Sequence, residues 1–279
     1  MRRAAAQLVQ TGEIVSLAHP VSPAPPGSRR GLLLEPHYGR PPAVSGVPWS
    51  ADTRLTLGGG MTTVVSVSHI GSHERRVYNG REFNAVAGPS GLTKGSVLAQ
   101  RDGIFTRGVL LDLPAALGVN WVEPDHAITV ADLERAERQA GVRVGSGDAL
   151  VLRVGQAPRL AAAEPGLVLS PGPTGAGIEW LHDREVAIWA GDAPDRVDRR
   201  GARLLAGEDI ADDPARTWFM FPLHQIALPG MGLVQVEQCS VELLAEQCAR
   251  LGRYSFLFVM APLPVSGAAS CAVNPLAVF

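Results

Sequence analysis

Three ionisable side chains stand inside or directly after apolar segments of this chain, where such groups are uncommon. His69 follows the β-branched run 62–68, His224 lies in the apolar run 223–228, and Glu237 follows the segment Leu-Val-Gln-Val. A glutamate buried without a partner is costly, so we expect Glu237 to pair with a group such as His224 or to act in catalysis. Histidine and glutamate in these places predict general acid and base chemistry. The alternative for each histidine is a structural role with an ordinary hydrogen bond.

Other reactive residue types carry weaker signals. His73 and Glu74 precede Arg75 and Arg76, a pattern typical of a solvated loop. An odd number of cysteines without metal-ligand spacing predicts reduced thiols in a cytoplasmic protein. These are Cys239, Cys248 and Cys271. A nucleophilic role for the last would require an adjacent base, which the sequence does not show, so a small packed thiol is expected there.

Strands and helices alternate along the chain, which predicts an α/β class that positions these side chains. The predicted strands are residues 13–18, 62–68, 108–113, 148–154, 186–190, 223–228 and 255–260, and the predicted helices are residues 3–11, 130–140, 178–184 and 241–250. Thr129 and Ser240 are the expected helix caps, and the strand-end residues Asp112 and Asp192 are expected to cap loops. Residues 20–50, rich in Pro, Gly and Arg, predict a surface arm or a substrate-covering loop within a single domain, residues 1–279.

Composition narrows the class of protein. The 279 residues are 46% hydrophobic and 19% charged, typical of a soluble packed globule. A net charge of -2 lacks the basic footprint of a nucleic-acid-binding protein. The apolar stretches, such as residues 254–265, are too short and too interrupted by proline to span a bilayer. We therefore expect neither nucleic acid nor a membrane as partner, and a cytoplasmic location.

Several ordered segments resemble one family. The chain is similar to bacterial members of the cyclase superfamily, which includes the kynurenine formamidases, in AAQLVQTGEIVSLAHPV, TRGVLLDLPAALG, AITVADLERAERQAGVRVGSGDALVLRVG, IEWLHDREVAIWAGD and the sequence from PLHQIALPG onward. The resemblance implies an α/β fold of the swivelling β/β/α kind, usually oligomeric. It also implies a metal-dependent hydrolase that opens an amide, lactam or formamide. The family signature is His-x-Gly-Thr-His-x-Asp-x-Pro-x-His, in which the first two His and the Asp bind metal and the last His is the acid/base; a downstream His and Glu complete the site.

The signature can be laid on this sequence in two ways. A literal match makes His69 and His73 metal ligands but places Arg75 where the Asp is required, and a guanidinium has no free lone pair for a metal. The other alignment uses the run Tyr78-Asn79-Gly80, which many relatives place shortly after the final His. It equates His69 with the acid/base His and needs no deletion, so it is preferred.

The preferred alignment removes the metal ligands of the signature. Val65 stands at the position of the Asp, Thr63 at that of the second His and Gly59 at that of the first, while Thr62 keeps the Thr. Downstream, His224 and Glu237 match the family's His and Glu. Two ligands without the Asp make a poor metal site, because catalytic zinc normally has three protein ligands.

The leading hypothesis is therefore a metal-independent enzyme without a cofactor, acting on a small, reactive, aromatic or polyketide-like metabolite. Ring closure, ring opening or dehydration would use His69 as the base, with His224 and Glu237 as polarising partners. The predicted substrate-binding residues are Thr62, Thr63, Val65, Tyr78 and Asn79.

Two alternatives remain open. One is an arylformamidase-type hydrolase whose zinc or manganese is held by His69, His73, His224 and Glu237. The other is a non-catalytic homologue that binds a small molecule. In each case the resemblance implies a homodimer or homotetramer.

Overall fold

The computed structural model describes residues 2–21, 32–39, 49–57, 61–162, 169–193, 195–205 and 219–279. The chain divides into two compact units. The larger consists of Met1–Ala18 with Thr62–Phe279, and the smaller is His19–Met61.

Elements are numbered in chain order. The strands are β1 (Ile14–Ser16), β2 (Leu32–Gly39), β3 (Trp49–Leu57), β4 (Thr63–Val65), β5 (Arg76–Val77), β6 (Arg81–Glu82), β7 (Ala87–Gly88), β8 (Gly91–Leu92), β9 (Ile104–Asp112), β10 (Ala127–Ile128), β11 (Ala149–Arg153), β12 (Gly172–Pro173), β13 (Ile188–Gly191), β14 (Val234–Glu237), β15 (Ser255–Met260), β16 (Ser270–Ala272) and β17 (Leu276–Val278). The helices are α1 (Arg2–Ala6), α2 (Phe83–Val86), α3 (Leu113–Leu117), α4 (Val130–Ala140), α5 (Gln156–Ala162), α6 (Gly175–Asp183), α7 (Arg199–Leu205), α8 (Pro222–Met231) and α9 (Glu242–Leu251), with 3-10 turns at Tyr78–Gly80 and Val97–Gln100.

The smaller unit contains an antiparallel pair, β2 with β3. Strand β2 falls within the stretch 20–50, for which an arm or loop was predicted. A proline inside a strand argues against that assignment because it lacks an amide donor. Here the register of the pair shifts between Glu35 and Pro36. Residues 22–31 and 40–48 of the same stretch lie outside the described part of the chain.

The larger unit is built on a sheet whose described strands run in the order β1-β17-β15-β9-β11-β13-β14-β4-β16. The four central strands, β9, β11, β13 and β14, are parallel. Strand β4 pairs antiparallel with both β14 and β16. Parallel strands require crossover connections, which the helices between them supply, and the predicted α/β class is confirmed.

Both faces of this sheet are covered by apolar side chains. Successive residues of β11 point to opposite faces, so Val151 packs in one core and Leu150 in the other. Helix α9 covers the first face, whereas α4, α6 and α8 cover the second. Strands buried on both sides read as continuous apolar runs, which is why 108–113 and 148–154 were recognisable in the sequence.

Helix α4 has the predicted boundaries. The Thr129 hydroxyl accepts from the Asp132 amide, the Asp132 carboxylate accepts from the Thr129 amide, and Gly141 ends the helix in a left-handed conformation. Asp112 and Asp192 also cap as expected. Asp112 accepts from the Ala115 amide, and Asp192 accepts from three successive amides of the loop after β11.

Two predictions, the cap of helix α9 and the strand over residues 223–228, were wrong. Helix α9 begins after Val241 without a side-chain cap, so Ser240 does not cap it, and its buried residues are Leu244, Ala245 and Cys248. Residues 223–228, predicted as a strand, belong to helix α8. The buried residues there are Leu223, His224, Ala227 and Leu228. Their separations of one and four residues place them on one face of a helix.

None of the helices in the described ranges combines the length and apolarity that crossing a bilayer requires.

Candidate active site

His224 lies in the first turn of α8, where helix amides have no partner within the helix. Pro222 occupies the start of the helix. Asp195, from the loop after β13, accepts hydrogen bonds from the amides of Leu223 at 3.1 Å and His224 at 2.9 Å. A carboxylate is favoured at this end of a helix because the helix dipole is positive there. Asp195 therefore caps α8 from a distant point in the chain.

The His224 ring is held between two carboxylates. Its Nδ1 lies 2.8 Å from Asp195 Oδ2, and its Nε2 is hydrogen-bonded to Glu237 Oε1. Burial alone would lower the pKa of this histidine. The hydrogen bonds and charges of Asp195 and Glu237 outweigh burial and raise the pKa to about 9. His224 is therefore an imidazolium at neutral pH, with both N–H groups engaged.

The two carboxylates differ in how much of their bonding capacity is used. Asp195 also accepts from the Arg196 amide at 2.6 Å, so its oxygens serve the backbone as well as the ring. Among the described residues, the carboxylate of Glu237 has one hydrogen-bond partner, His224. Its second oxygen is available to another group. Thr62 helps to fix this carboxylate, because its hydroxyl donates at 2.7 Å to the carbonyl of Gln238, which has a left-handed φ of 53°.

His69 stands close to this charged group. Its ring centre is 6.2 Å from that of His224. Burial lowers the pKa of His69, the positive charge of His224 lowers it further, and Glu237 partly opposes both. A histidine with a lowered pKa is neutral at pH 7 and can accept a proton. Within the described ranges, the ring nitrogens of His69 have no hydrogen-bond partner in the protein, so they are free to bind a substrate.

A cavity of about 390 Å³ opens beside His69. It is lined by His69, Ile70, Gly71, Ser72, Arg75, Phe83 and Asn84. This volume lies within the range of small-molecule sites. Of the residues predicted for the site, His69 is the one that lines this cavity in the part of the chain described.

The predicted substrate-binding residues fall into two groups. Thr63 pairs with Glu237 across the ladder and Val65 pairs with Gln235, so these side chains share the face of the sheet that carries Glu237. Tyr78 and Asn79 lie elsewhere. The Tyr78 ring packs on Gly232 at the end of α8, and Asn79 is an exposed turn residue with a φ of 65°. Gly59 lies outside the described residues.

The donor groups do not fit a metal ion. A histidine ligand must present a lone pair, and both nitrogens of His224 face carboxylates. Val65, at the position of the family's Asp, has no donor atom. His73 is exposed, and the centre of its ring lies 4.6 Å from the centre of the Phe219 ring. Across the described ranges, no three His, Cys, Asp or Glu side chains are grouped to hold a metal.

Sequence reasoning missed Asp195 and the position of Arg75 in the cavity wall. Asp195 is 29 residues from His224, and no local motif marks such a pairing. Pro222, typical of a helix start, and Gly232, typical of a helix end, were signals that could have identified α8 and hence its need for a cap.

The three cysteines are free and buried, and Cys271 packs in the first core.

The protein thus has an α/β fold with a charged histidine–carboxylate centre. The model of the Cyclase family, described as "Putative cyclase", matches residues 15–198, and the chain belongs to that family. No curated protein matches the chain.

Solved structures agree with this assignment. The crystal structure of a novel cyclase is 28% identical, with a TM-score of 0.79, and the match covers 99% of this chain and 90% of the other. Isatin hydrolase A from Labrenzia aggregata, bound to benzyl benzoate, is 18% identical with a TM-score of 0.59, covering 98% and 94%. An isatin hydrolase bound to the product analogue thioisatinate is 14% identical with a TM-score of 0.60, covering 98% and 94%. The predicted cyclase-like fold is confirmed, and the protein is an enzyme of the cyclase superfamily.

Proposed function

We propose that this enzyme opens, closes or dehydrates a small, reactive, aromatic or polyketide-like metabolite by general acid/base chemistry without a resident metal. The observation that carries the proposal is the pairing of a neutral histidine with a charged one. His69 lines the cavity, its ring nitrogens have no partner among the described residues, and the ring centre of His224, an imidazolium, is 6.2 Å from its own.

His69 is the group that moves the proton. For ring opening, it takes a proton from water as the water oxygen attacks the substrate carbonyl carbon, and it returns that proton to the leaving atom when the ring bond breaks. For dehydration, it takes the proton next to a carbonyl and returns it to the departing hydroxyl. The pKa of His69 lies below the ordinary value, so the base form is present at neutral pH.

His224 and Glu237 support that proton transfer. Since both N–H groups of His224 are bound to carboxylates, His224 acts through its charge and through the placement of Glu237. The positive charge keeps His69 deprotonated before the reaction. The second oxygen of Glu237 can stabilise the imidazolium that forms on His69 or accept a hydrogen bond from the substrate. We assign His224 as a positioning residue and Glu237 as a polarising one.

Several observations support a metal-independent reaction. The preferred alignment places Val65 at the position of the family's Asp, and His224 has no lone pair to offer when it is protonated. Positioned acids and bases contribute about 10² to 10⁴-fold, which suits a reactive ring or ester better than an unactivated amide. The match to isatin hydrolases makes isatin, a strained cyclic ketoamide, a reasonable candidate. The oligomeric state and a cytoplasmic location stay predictions.

The proposal can be tested by assaying the protein against isatin, 4-nitrophenyl esters, N-formyl anilines and polyketide-like β-hydroxy ketones. We expect turnover of at least one compound, and we expect His69→Gln to reduce kcat by about 10² to 10⁴-fold. The matched control is His73→Gln, which changes a histidine four residues away that does not line the cavity. This variant should keep wild-type activity.

The two alternatives give different results. An arylformamidase-type enzyme with metal on His73 would lose activity in both histidine variants, and N-formyl anilines would be its best substrates. A non-catalytic homologue would show saturable binding without turnover of any compound. Equal loss of activity in His69→Gln and His73→Gln would contradict the proposal.

A further inference from the structure

The loop between His69 and β5 is folded tightly on itself. The Ser72 amide donates to the Arg76 carbonyl at 2.8 Å, and the Arg76 amide lies 3.3 Å from the Ser72 hydroxyl oxygen, which accepts from it. A methyl group on Gly71 would stand 3.2 Å from the Arg76 carbonyl oxygen, so the turn leaves little space for a larger residue. These contacts hold the loop in one conformation beside the cavity.

Arg75 has a left-handed backbone conformation within this loop, with a φ of 57°. For a residue other than glycine this conformation costs about 1 kcal/mol. It is held by two backbone hydrogen bonds, from the Arg75 amide to Ser72 and from the Phe83 amide to Arg75. Strained residues of this kind cluster at ligand sites. The conformation places Arg75 in the cavity wall.

The two neighbouring arginines differ in their partners. Arg76 donates to the Gly80 carbonyl at 2.9 Å and forms an ion pair with Glu82 at 3.5 Å, and it does not line the cavity. The guanidinium of Arg75 has neither a hydrogen bond nor an ion pair with any residue that the structure describes. Among the described residues it is therefore a cation with five donors and no partner, on a residue that lines the cavity.

The rest of the cavity wall suits an anion with a flat apolar body. None of the lining residues that the structure describes is acidic. Ser72 and Asn84 add neutral hydrogen-bond donors, and Ile70 and Phe83 add apolar surface. A guanidinium binds a carboxylate through two parallel hydrogen bonds, which is the geometry its fork matches best.

We propose that Arg75 recognises a carboxylate on the substrate, which would make the substrate class small aromatic or conjugated acids. This inference rests on the proposed function, because the same cavity brings the reacting carbonyl to His69. The ring of the acid packs between Ile70 and Phe83, and the carboxylate lies at the outer edge on Arg75. Arg75 binds and orients the substrate, and it takes no part in the proton transfer.

The test is a fluorescence titration with 2-aminobenzoate and 2-aminobenzamide, two fluorescent probes of nearly equal shape that differ in charge. Wild-type protein should bind 2-aminobenzoate more tightly than 2-aminobenzamide. Arg75→Gln should weaken the binding of 2-aminobenzoate about tenfold, because an exposed charged pair is partly screened by solvent, and should leave 2-aminobenzamide unchanged. Arg75→Lys should recover part of the loss, since lysine keeps the charge but not the fork.

The matched control is Arg76→Gln, which removes the same charge one residue away and should leave the affinity for 2-aminobenzoate within about twofold of wild type. Equal weakening in Arg75→Gln and Arg76→Gln, equal affinity for the two probes in wild type, or no saturable binding of 2-aminobenzoate would each overturn the proposal. His69→Gln separates this inference from the proposed function. That variant should lose turnover yet still bind 2-aminobenzoate more tightly than 2-aminobenzamide, so failure of catalysis and failure of carboxylate recognition are read independently.

Discussion

The charge on His224 depends on Asp195, and Asp195→Asn is the change that tests this dependence. The amide side chain keeps the size of the carboxylate, but its single oxygen can replace only one of the two acceptors, Oδ1 for the Leu223 amide or Oδ2 for the His224 amide. It removes the negative charge from Nδ1 of His224. We expect the pKa of His224 to fall well below its wild-type value and the protein to lose stability.

The expected loss of stability follows from the raised pKa of His224. A rise from 6.5 to about 9 corresponds to about 3 kcal/mol, since each pKa unit is worth about 1.4 kcal/mol. Burial acts in the opposite direction, so the two carboxylates together contribute more than this net figure. Of the two hydrogen bonds to the His224 ring, the one with Asp195 raises the pKa more than the one with Glu237 does. We therefore expect Asp195→Asn to lower the pKa of His224 and to remove a large part of this stabilisation of about 3 kcal/mol at pH 7.

The same shift predicts how stability depends on pH. Because the folded-state pKa of His224 is raised, its stabilising contribution is complete below pH 6.5 and is lost as the pH rises through about 9. The free energy of unfolding of the wild type should therefore decrease over this interval. In Asp195→Asn the decrease should be much smaller.

The measurement is an NMR titration of the His224 ring together with urea unfolding at several pH values. Asp192→Asn is the matched control, because Asp192 is also buried and also accepts three backbone amides but does not touch His224. Burial raises the pKa of Asp192 to about 6, so its own titration lies below the interval. The control should be destabilised while the pKa of His224 stays near 9. An unchanged pKa of His224 in Asp195→Asn would refute the reasoning.

Two further predictions follow from the site and its supports. The plot of kcat/KM against pH should be bell-shaped. It should rise below pH 6.5 as His69 loses its proton and fall near pH 9 as His224 loses its own. A profile that does not fall at alkaline pH would show that the reaction does not need protonated His224. Gly232→Ala should lower the melting temperature more than Gly141→Ala does. Both glycines end helices with positive φ, but a methyl group on Gly232 would lie 2.7 Å from the Tyr78 ring, whereas one on Gly141 would meet no atom within 4 Å. Equal losses in thermal unfolding would show that the loop carrying Tyr78 moves freely.

Much of the fold could be predicted because local signals and tertiary packing agree. Helix α4 has a capping box and a terminal glycine, and strands β9 and β11 are apolar runs that contribute to both cores. Helix α8 was predicted as a strand because its apolar run, residues 223–228, is short. Pro229 and Gly230, which follow this run, weaken any helical pattern. Short apolar runs do not distinguish a buried strand from a buried helix turn.

The site could be predicted only in part, for a related reason. His69, His224 and Glu237 are marked by position in the family pattern, and the structure brings His224 and Glu237 into contact with His69 nearby. Asp195 carries no such mark, because its role arises from a helix start that lies far along the chain. Arg75 was noted only as a residue that cannot bind metal, since its place in the cavity depends on a strained loop conformation that no sequence pattern displays.

The central claim is that proton transfer at His69, without a metal, accounts for the reaction. The most direct test is to measure the metal content and the turnover rate of one sample before and after dialysis against a strong chelator, using a compound that the enzyme turns over. The turnover rate should stay unchanged when the metal content falls far below one ion per chain. A rate that is lost on chelation and restored by zinc or manganese would contradict it.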